Sequence, residues 1–452
     1  LINMFKKIID FYRVSEPVAC ENMSEEESAK KLKRLQWATF LSATIGYGTY
    51  YVCRLSLNVI KKPIVDNGVF SETELGIIGS VLFFTYAIGK FTNGFLADRS
   101  NIKRLMSTGL LVTALVNLIL GFTHSFILFA VLWGLSGWFQ SMGAASCVVG
   151  LSRWFTDKNR GTFYGFWSAS HNIGEAMTFI FVASIVSAFG WQYGFIGAAV
   201  VGIAGVVLLL TFFHDTPASK GVSLPDAQVI EKKQQDTASY NKAQKAVLKN
   251  PLIWVLALSS AFMYISRYAV NSWGIFYLEN EKGYSTIDAS FIISINSVLG
   301  IVGTVTSGLL SDKVFKGNRY LPAVIFGLLN ALALCLFLLV PGHQLWVDVT
   351  AMILFGLSIG VLLCFLGGLM AVDIAPKNAS GAALGVVGVA SYVGAGIQDI
   401  MSGLLIEGNK QIVNGVDCYD FTYINYFWIG AALMSVLMTS IVWKAKPKKT
   451  SV

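Results

Sequence analysis

The sequence predicts an all-α membrane protein whose twelve transmembrane helices form two pseudo-symmetric bundles of six, with both termini cytoplasmic. Three observations carry this. The 452 residues are 54% hydrophobic and 13% charged, against about 25% charged in an ordinary soluble domain. Apolar runs of roughly 20 residues, the length that crosses a bilayer, recur twelve times. A polar interval divides them six and six, and the two halves repeat each other.

Residues 1–35 read as a polar cytoplasmic segment in which SEEESAKKLKRLQW forms a short amphipathic helix. No cleavable signal is expected ahead of the first span, and LIN before Met4 reads as a start-site remnant. The first bundle, 36–213, has spans at 36–60, 75–97, 105–123, 126–149, 161–188 and 191–213. The third and fourth are parted by His124 and Ser125, the fifth and sixth by a turn at Gly190. Residues 214–250 form a charged cytoplasmic loop. The second bundle, 251–443, has spans at 251–278, 287–311, 320–340, 345–371, 380–406 and 421–443. A basic tail, 444–452, carries KAKPKK, which anionic lipid would attract.

Lys and Arg set the orientation. Twenty-seven fall in the termini, the central loop and the short loops on the same side, and four (Lys61, Lys62, Lys282, Lys410) in the alternate loops. Cytoplasmic loops carry such an excess, so both termini are expected inside. The net charge of +8 is this asymmetry and calls for no nucleic-acid partner. Six cysteines show no CxxC or CxxH spacing, so no metal or redox cofactor is expected.

The repeat is specific. GFLADRSNIKR (94–104) follows span two and GLLSDKVFKGNR (308–319) follows span eight, with Asp98 and Asp312 separated by 214 positions. Gly161 and Gly381, opening spans five and eleven, are separated by 220, and Arg54 and Arg267, in spans one and seven, by 213. The charged loops, with Asp98, Arg99 and Arg104 in one half and Asp312, Lys313 and Arg319 in the other, are expected to pair with one another and with helix ends as the halves rock.

Charges within spans demand a reason, since an arginine at mid-depth costs at least about 2.5–3.5 kcal/mol. If spans one and seven face each other, Arg54 and Arg267 share a cavity and repel unless an anion sits between them. Each guanidinium offers a bidentate fork to phosphate oxygens. Snorkelling, or pairing with a buried acid, is the alternative for either. Lys90 in span two is a third intramembrane cation. His171 has an ordinary pKa near about 6.5 and can gain a proton as phosphate arrives, or can serve only as an interhelical hydrogen-bonding group. Glu175, one turn on, either orients His171 or moderates the positive charge of the empty site. Tyr47, Tyr51 and Tyr264 lie in register with the arginines, and Asn271 continues the span-seven motif. Gln398 and Asp399 in span eleven are candidates for hydrogen bonding to ligand hydroxyls, for bridging to Arg267 or Lys90, or for a structural role.

The paired G-x-L-x-D-R/K loops resemble the signature loop of the major facilitator superfamily. GYGTYYVCR (46–54), YAIGKF (86–91), WSASHNIGE (167–175), DTPASKG (215–221), YISRYAVNSWG (264–274) and SDKVFKGNR (311–319) resemble the organophosphate:phosphate antiporter family. SHNIGE and WGIFYLENEKG are most similar to its hexose-phosphate sensor and glucose-6-phosphate translocase branch. The resemblance implies a major facilitator fold, a pore-facing Lys90, a substrate-contacting His171, and exchange of a sugar phosphate for inorganic phosphate by a rocker switch. Glucose 6-phosphate or another hexose phosphate leads as substrate. A membrane sensor signalling to a partner kinase and a glycerol-3-phosphate transporter are the alternatives. It further implies a functional monomer in a bacterial inner membrane. Leu55 departs from the family: its glycerol-3-phosphate and hexose-phosphate transporters carry lysine there. Enzymatic chemistry is not expected, because Ser170 and His171 are helical neighbours that point in different directions.

Overall fold

The structure is a computed structural model that describes residues 6–7, 10–18, 24–224, 237–316, 318–376, 379–413 and 416–444. The first half contains α1 (Glu25–Asp66), α2 (Glu72–Arg99), α3 (Ile102–Leu120), α4 (Phe126–Trp154), α5 (Asp157–Ser168), α6 (Ser170–Phe189) and α7 (Trp191–Phe212). A linking helix α8 (Thr237–Lys249) leads to α9 (Pro251–Glu281), α10 (Thr286–Leu309), α11 (Tyr320–Leu339), α12 (Leu345–Cys364), α13 (Met370–Ile374) and α14 (Ser380–Gly408). A hairpin, β1 (Lys410–Val413) with β2 (Val416–Tyr419), precedes α15 (Thr422–Lys444). Residues 225–236 of the central loop and 445–452 of the basic tail lie outside the described residues.

Eleven helical stretches among the described residues are long and apolar enough to cross a membrane, and they coincide with the expected spans two to twelve. The first expected span lies inside α1, whose middle carries Tyr47, Tyr50, Tyr51 and Arg54 and is too polar to meet the same measure. Here the structure corrects the sequence reading. The amphipathic segment and span one are a single 42-residue helix. A capping box starts it, Ser24 accepting from the Glu27 N–H at 3.3 Å while the Glu27 carboxylate accepts from the Ser24 N–H at 3.0 Å. Asn67 and Gly68, at φ +63°, stop it. Lys61 and Lys62, read as outer-loop residues, are therefore helical. A second difference is the break at Ala169, which divides span five into α5 and α6.

The halves repeat in packing as in sequence. α2 crosses α4 through Gly89, where a Cβ would lie 2.9 Å from the Trp138 carbonyl oxygen. α10 crosses α12 through Gly303, where it would lie 2.3 Å from that of Leu357. Those glycines are 214 positions apart. Between the halves, α2 packs on α14, α6 on α10 and α1 on α9. The α2–α14 seam is tight at the end away from the chain termini: Cβ atoms at Gly76 and Gly403 would lie 2.5 Å and 2.4 Å from the carbonyl oxygens of Asp399 and Glu72. Toward the termini, Gly94, Gly381 and Gly385 face open space. The halves are joined at one end and part toward the other.

Beside the terminal end of the first half, Asp215 binds three segments. It accepts from the Ser15 N–H at 2.8 Å, the Ile102 N–H at 3.1 Å and Arg153 Nη1 at 2.6 Å. Its neighbour His214 lies beyond α7, and burial, with Lys220 and Lys103 close by, pushes its pKa down to about 4. An unfolded histidine titrates near about 6.5. Between those values the unfolded chain binds a proton that the folded one does not, so stability falls as the pH is lowered through this window. We expect the melting midpoint to drop more steeply between about pH 6.5 and 4 in the parent chain than in His214→Gln; equal slopes count against this.

Candidate anion site between the two halves

Arg54 and Arg267 are buried on helices of opposite halves. Tyr51, Glu175 and His171 lie within electrostatic reach of both guanidiniums. The two have different partners. Arg54 Nε donates to Gln140 Oε1 at 2.9 Å, and Gln140 is held in turn by its Nε2 bond to Ser136 Oγ at 2.9 Å. The guanidinium carbon sits 3.9 Å from the Tyr86 ring centre, close enough for a cation–π contact. Arg54 Nη2 is buried with no hydrogen-bond partner, and among the described residues no carboxylate pairs with this arginine.

Arg267 is neutralised. Its Nη2 lies 3.2 Å from Glu175 Oε2, and Asn271 Nδ2 donates to Glu175 Oε1. Asn271 also ties the halves through its main chain, whose oxygen accepts from Asn58 Nδ2 at 2.9 Å. The Asn271 Oδ1 atom, like Arg54 Nη2, is buried without a partner.

Rings line the space around these charges. Tyr47 packs on Tyr51 and Trp167, with ring centres at 5.5 Å and 5.0 Å, and Tyr51 lies 5.8 Å from the His171 ring. From the second half, Tyr264 contacts Tyr268 and Tyr392. Lys90 is exposed on α2, its Nζ 5.3 Å from the Tyr392 ring centre. His171 Nδ1 bonds the Ser168 carbonyl. A carbonyl only accepts, so Nδ1 carries a proton and Nε2 is left as an acceptor, or as a donor in the imidazolium.

Asp399 bonds neither Arg267 nor Lys90; it accepts from Lys61 Nζ at 3.2 Å, Ser272 Oγ at 2.6 Å and Trp273 Nε1 at 2.6 Å. Gln398 Nε2 donates to Ser402 Oγ at 2.8 Å, and Ser402 also accepts from Trp428, which directs Gln398 into the second bundle. Asp98 and Arg99 are exposed, and it is Arg153 that donates to the Asp98 carbonyl oxygen, at 3.1 Å. Arg104 donates to the Phe11 carbonyl oxygen at 2.6 Å, while Arg319 pairs with Asp373 on α13. Lys313 is exposed, and the Asp312 side chain lies outside the described residues.

Sequence reasoning missed Gln140, Tyr86, Tyr392 and Lys61. It also missed a pair that its own repeat would have found. Asn117 and Asn330 are 213 positions apart, the offset of the arginines, and both are buried. Asn117 donates to the Cys53 carbonyl oxygen at 3.1 Å, and Asn330 accepts from Ser266 Oγ at 2.8 Å. Each braces the residue before an arginine.

The profile of the Major Facilitator Superfamily matches residues 38–398. A probable hexose phosphate transport protein of Chlamydia pneumoniae is 35% identical, the alignment covering 82% of this chain and 85% of that protein. The membrane sensor protein UhpC of Escherichia coli K12 is 31% identical over 79% of this chain and 83% of its own. Among solved structures, a bacterial homologue of the human lysosomal transporter Spinster, inward-facing and occupied, has a TM-score of 0.72 at 16% identity, covering 90% of this chain and 96% of that one, a likeness of fold alone. The chain is a multi-pass membrane protein that belongs to the Major Facilitator Superfamily, in its organophosphate:phosphate antiporter branch.

Proposed function

We propose that the protein exchanges a sugar phosphate for inorganic phosphate across a bacterial inner membrane, with both termini cytoplasmic, by alternating access between its halves. The observation that carries this reading is the asymmetric pair of buried arginines: Arg267 has a carboxylate and Arg54 has a free Nη2. A phosphoryl group supplies what is missing, two charges and three acceptor oxygens that both guanidiniums can fork onto. Lys90 adds positive potential, and His171 adds an imidazole within reach of both guanidiniums. The names of the relatives support a hexose phosphate, with glucose 6-phosphate leading, as the organic partner.

Coupling follows from charge. Without an anion, closing water out around Arg54 costs several kcal/mol, because no carboxylate compensates it. With phosphate bound, that cost is offset and the halves can rock about the occupied site. Reorientation is then tied to occupancy, which makes the process exchange rather than free flow. With the termini cytoplasmic, the open end described above faces inward.

The sensor reading retains one specific observation, the 31% identity to a membrane sensor protein. Both readings use the same pocket, and transport separates them. Purified protein in phosphate-loaded liposomes should show counterflow of labelled phosphate and its inhibition by hexose phosphates. Binding without counterflow would favour the sensor and defeat the transporter.

Three substitutions bear on the site. Arg54→Lys and Arg267→Lys keep a charge but lose the planar fork, and each should lower exchange at least about 100-fold, in line with the loss of about two charge-assisted bonds. Residual exchange above a tenth of the parent rate would count against the clamp. Glu175 competes with phosphate for Arg267, so Glu175→Gln should tighten phosphate binding about tenfold, close to one hydrogen bond to a charged group. Calorimetric titration with phosphate reads this directly, and weaker binding would contradict the competition.

A further inference from the structure

We propose that Lys61 and Asp399 form an ion lock between the halves, which holds the end away from the termini closed and must part before the central site can face that side. Lys61 belongs to α1 of the first half and Asp399 to α14 of the second. Their charged atoms lie 3.2 Å apart, with side-chain exposures of 0% and 2%. Ser272 of α9 bridges them, accepting from Lys61 Nζ at 2.8 Å and donating to Asp399 Oδ1 at 2.6 Å. Trp273 completes the enclosure: its Nε1 donates to the same oxygen at 2.6 Å, and Lys61 Nζ stands 3.7 Å from the centre of its ring. From α2, Gly79 leaves the space that Asp399 Oδ2 fills, since a Cβ there would come within 1.9 Å of that oxygen. Four helices, two from each half, thus meet on one charge pair.

Position separates this pair from the other buried ones: Arg267–Glu175 also crosses between the halves, but at the central arginines rather than at the closed end. Lys282–Asp348 lies within the second half and Arg153–Asp215 within the first, so neither is stretched when the halves rotate against each other. Lys61–Asp399 spans the seam itself. Lys61 is seven residues beyond Arg54 on α1, roughly 10 Å further from the termini at 1.5 Å per residue. Opening the far end therefore has to separate the two charges and admit water to both. Neutralising one partner alone leaves the other buried and uncompensated in the closed form, while the open form hydrates it. Each single neutralisation must then shift the population toward the open form.

A second ion cluster lies further out and is weaker by the same reasoning. Lys410, on the hairpin, pairs with buried Glu72 at 3.2 Å, but its side chain is 24% exposed and Asp417 also lies 3.5 Å from it. Glu72 also keeps the Tyr419 hydroxyl at 2.6 Å if Lys410 is lost. Water already reaches Lys410, and Glu72 retains the Tyr419 hydroxyl, so Lys410→Met should leave the closed end closed.

The lock rests on the alternating-access reading, and its test does not depend on substrate. Nitroxide labels on native Cys418, exposed on the hairpin, and on Thr73→Cys at the start of α2 span the seam in a chain whose Cys20, Cys335 and Cys364 are replaced by serine. Pulsed electron-spin distances are recorded in lipid nanodiscs without ligand. The parent should give one short, narrow distribution. Lys61→Met and Asp399→Asn should each raise the long-distance fraction at least threefold, Lys410→Met should not, and the double exchange Lys61→Asp with Asp399→Lys should restore the short distance. Unchanged distances in folded Lys61→Met protein would overturn the proposal. If both single variants fail to fold, Ser272→Ala, which removes only the bridging hydroxyl, is recorded in the same way. A shift toward longer distance then supports the lock and no shift overturns it. Distances that shift in a protein showing no phosphate counterflow would sustain the lock and defeat the exchange reading.

Discussion

A guanidinium taken out of water without a carboxylate is expensive, by several kcal/mol even after relaxation, and Arg54 is held in that state. Its surroundings reduce the cost without cancelling the charge. Gln140 takes one donor, the Tyr86 ring lies against the guanidinium face, and Nη2 is left unpartnered. None of these groups is an anion. Arg267, on the symmetry-related helix, is instead compensated by Glu175. The central site therefore keeps a positive charge that the fold does not neutralise, and the packing around it has to be rigid enough to tolerate this.

That rigidity comes from small residues and buried amides. Gly89 and Gly303 bring paired helices within each half to backbone contact, while Asn117 and Asn330 fasten the arginine-bearing helices to their neighbours. Between the halves the seam is close at Gly76 and Gly403 and open at Gly381 and Gly385. Tight bundles joined by a seam that is close at one end and open at the other are what the proposed rotation of half against half would use.

Much of the site could be read from the sequence because the chain repeats itself. Arg54 and Arg267 stand out as charges inside apolar spans, and their common offset with Asp98 and Asp312 makes them one feature instead of two. The boundaries of spans two to twelve were legible for the same reason, since length and apolarity are properties of the chain alone. The errors arose where a property depends on what lies across space. Lys61 follows an apolar stretch and adjoins Lys62, Pro63 and Asp66, which is how an outer loop reads; only the partners on α9 and α14 make it a core residue. Asp399 was left open between reading hydroxyls, bridging to Arg267 or Lys90 and a structural role, and the sequence did not show that its cation is Lys61.

The sequence by itself determined the membrane class, the internal repeat and the two arginines at equivalent positions within it, because hydropathy, charge and repetition are local or periodic signals. Tertiary structure decided how the charges pair. Glu175 on α6 reaches Arg267 on α9, Lys61 on α1 reaches Asp399 on α14, and Arg54 is left with an amide and a ring. Charge pairing acts over a few ångströms, and those contacts join residues 92 and 338 positions apart, a proximity that only the packing of one half against the other creates.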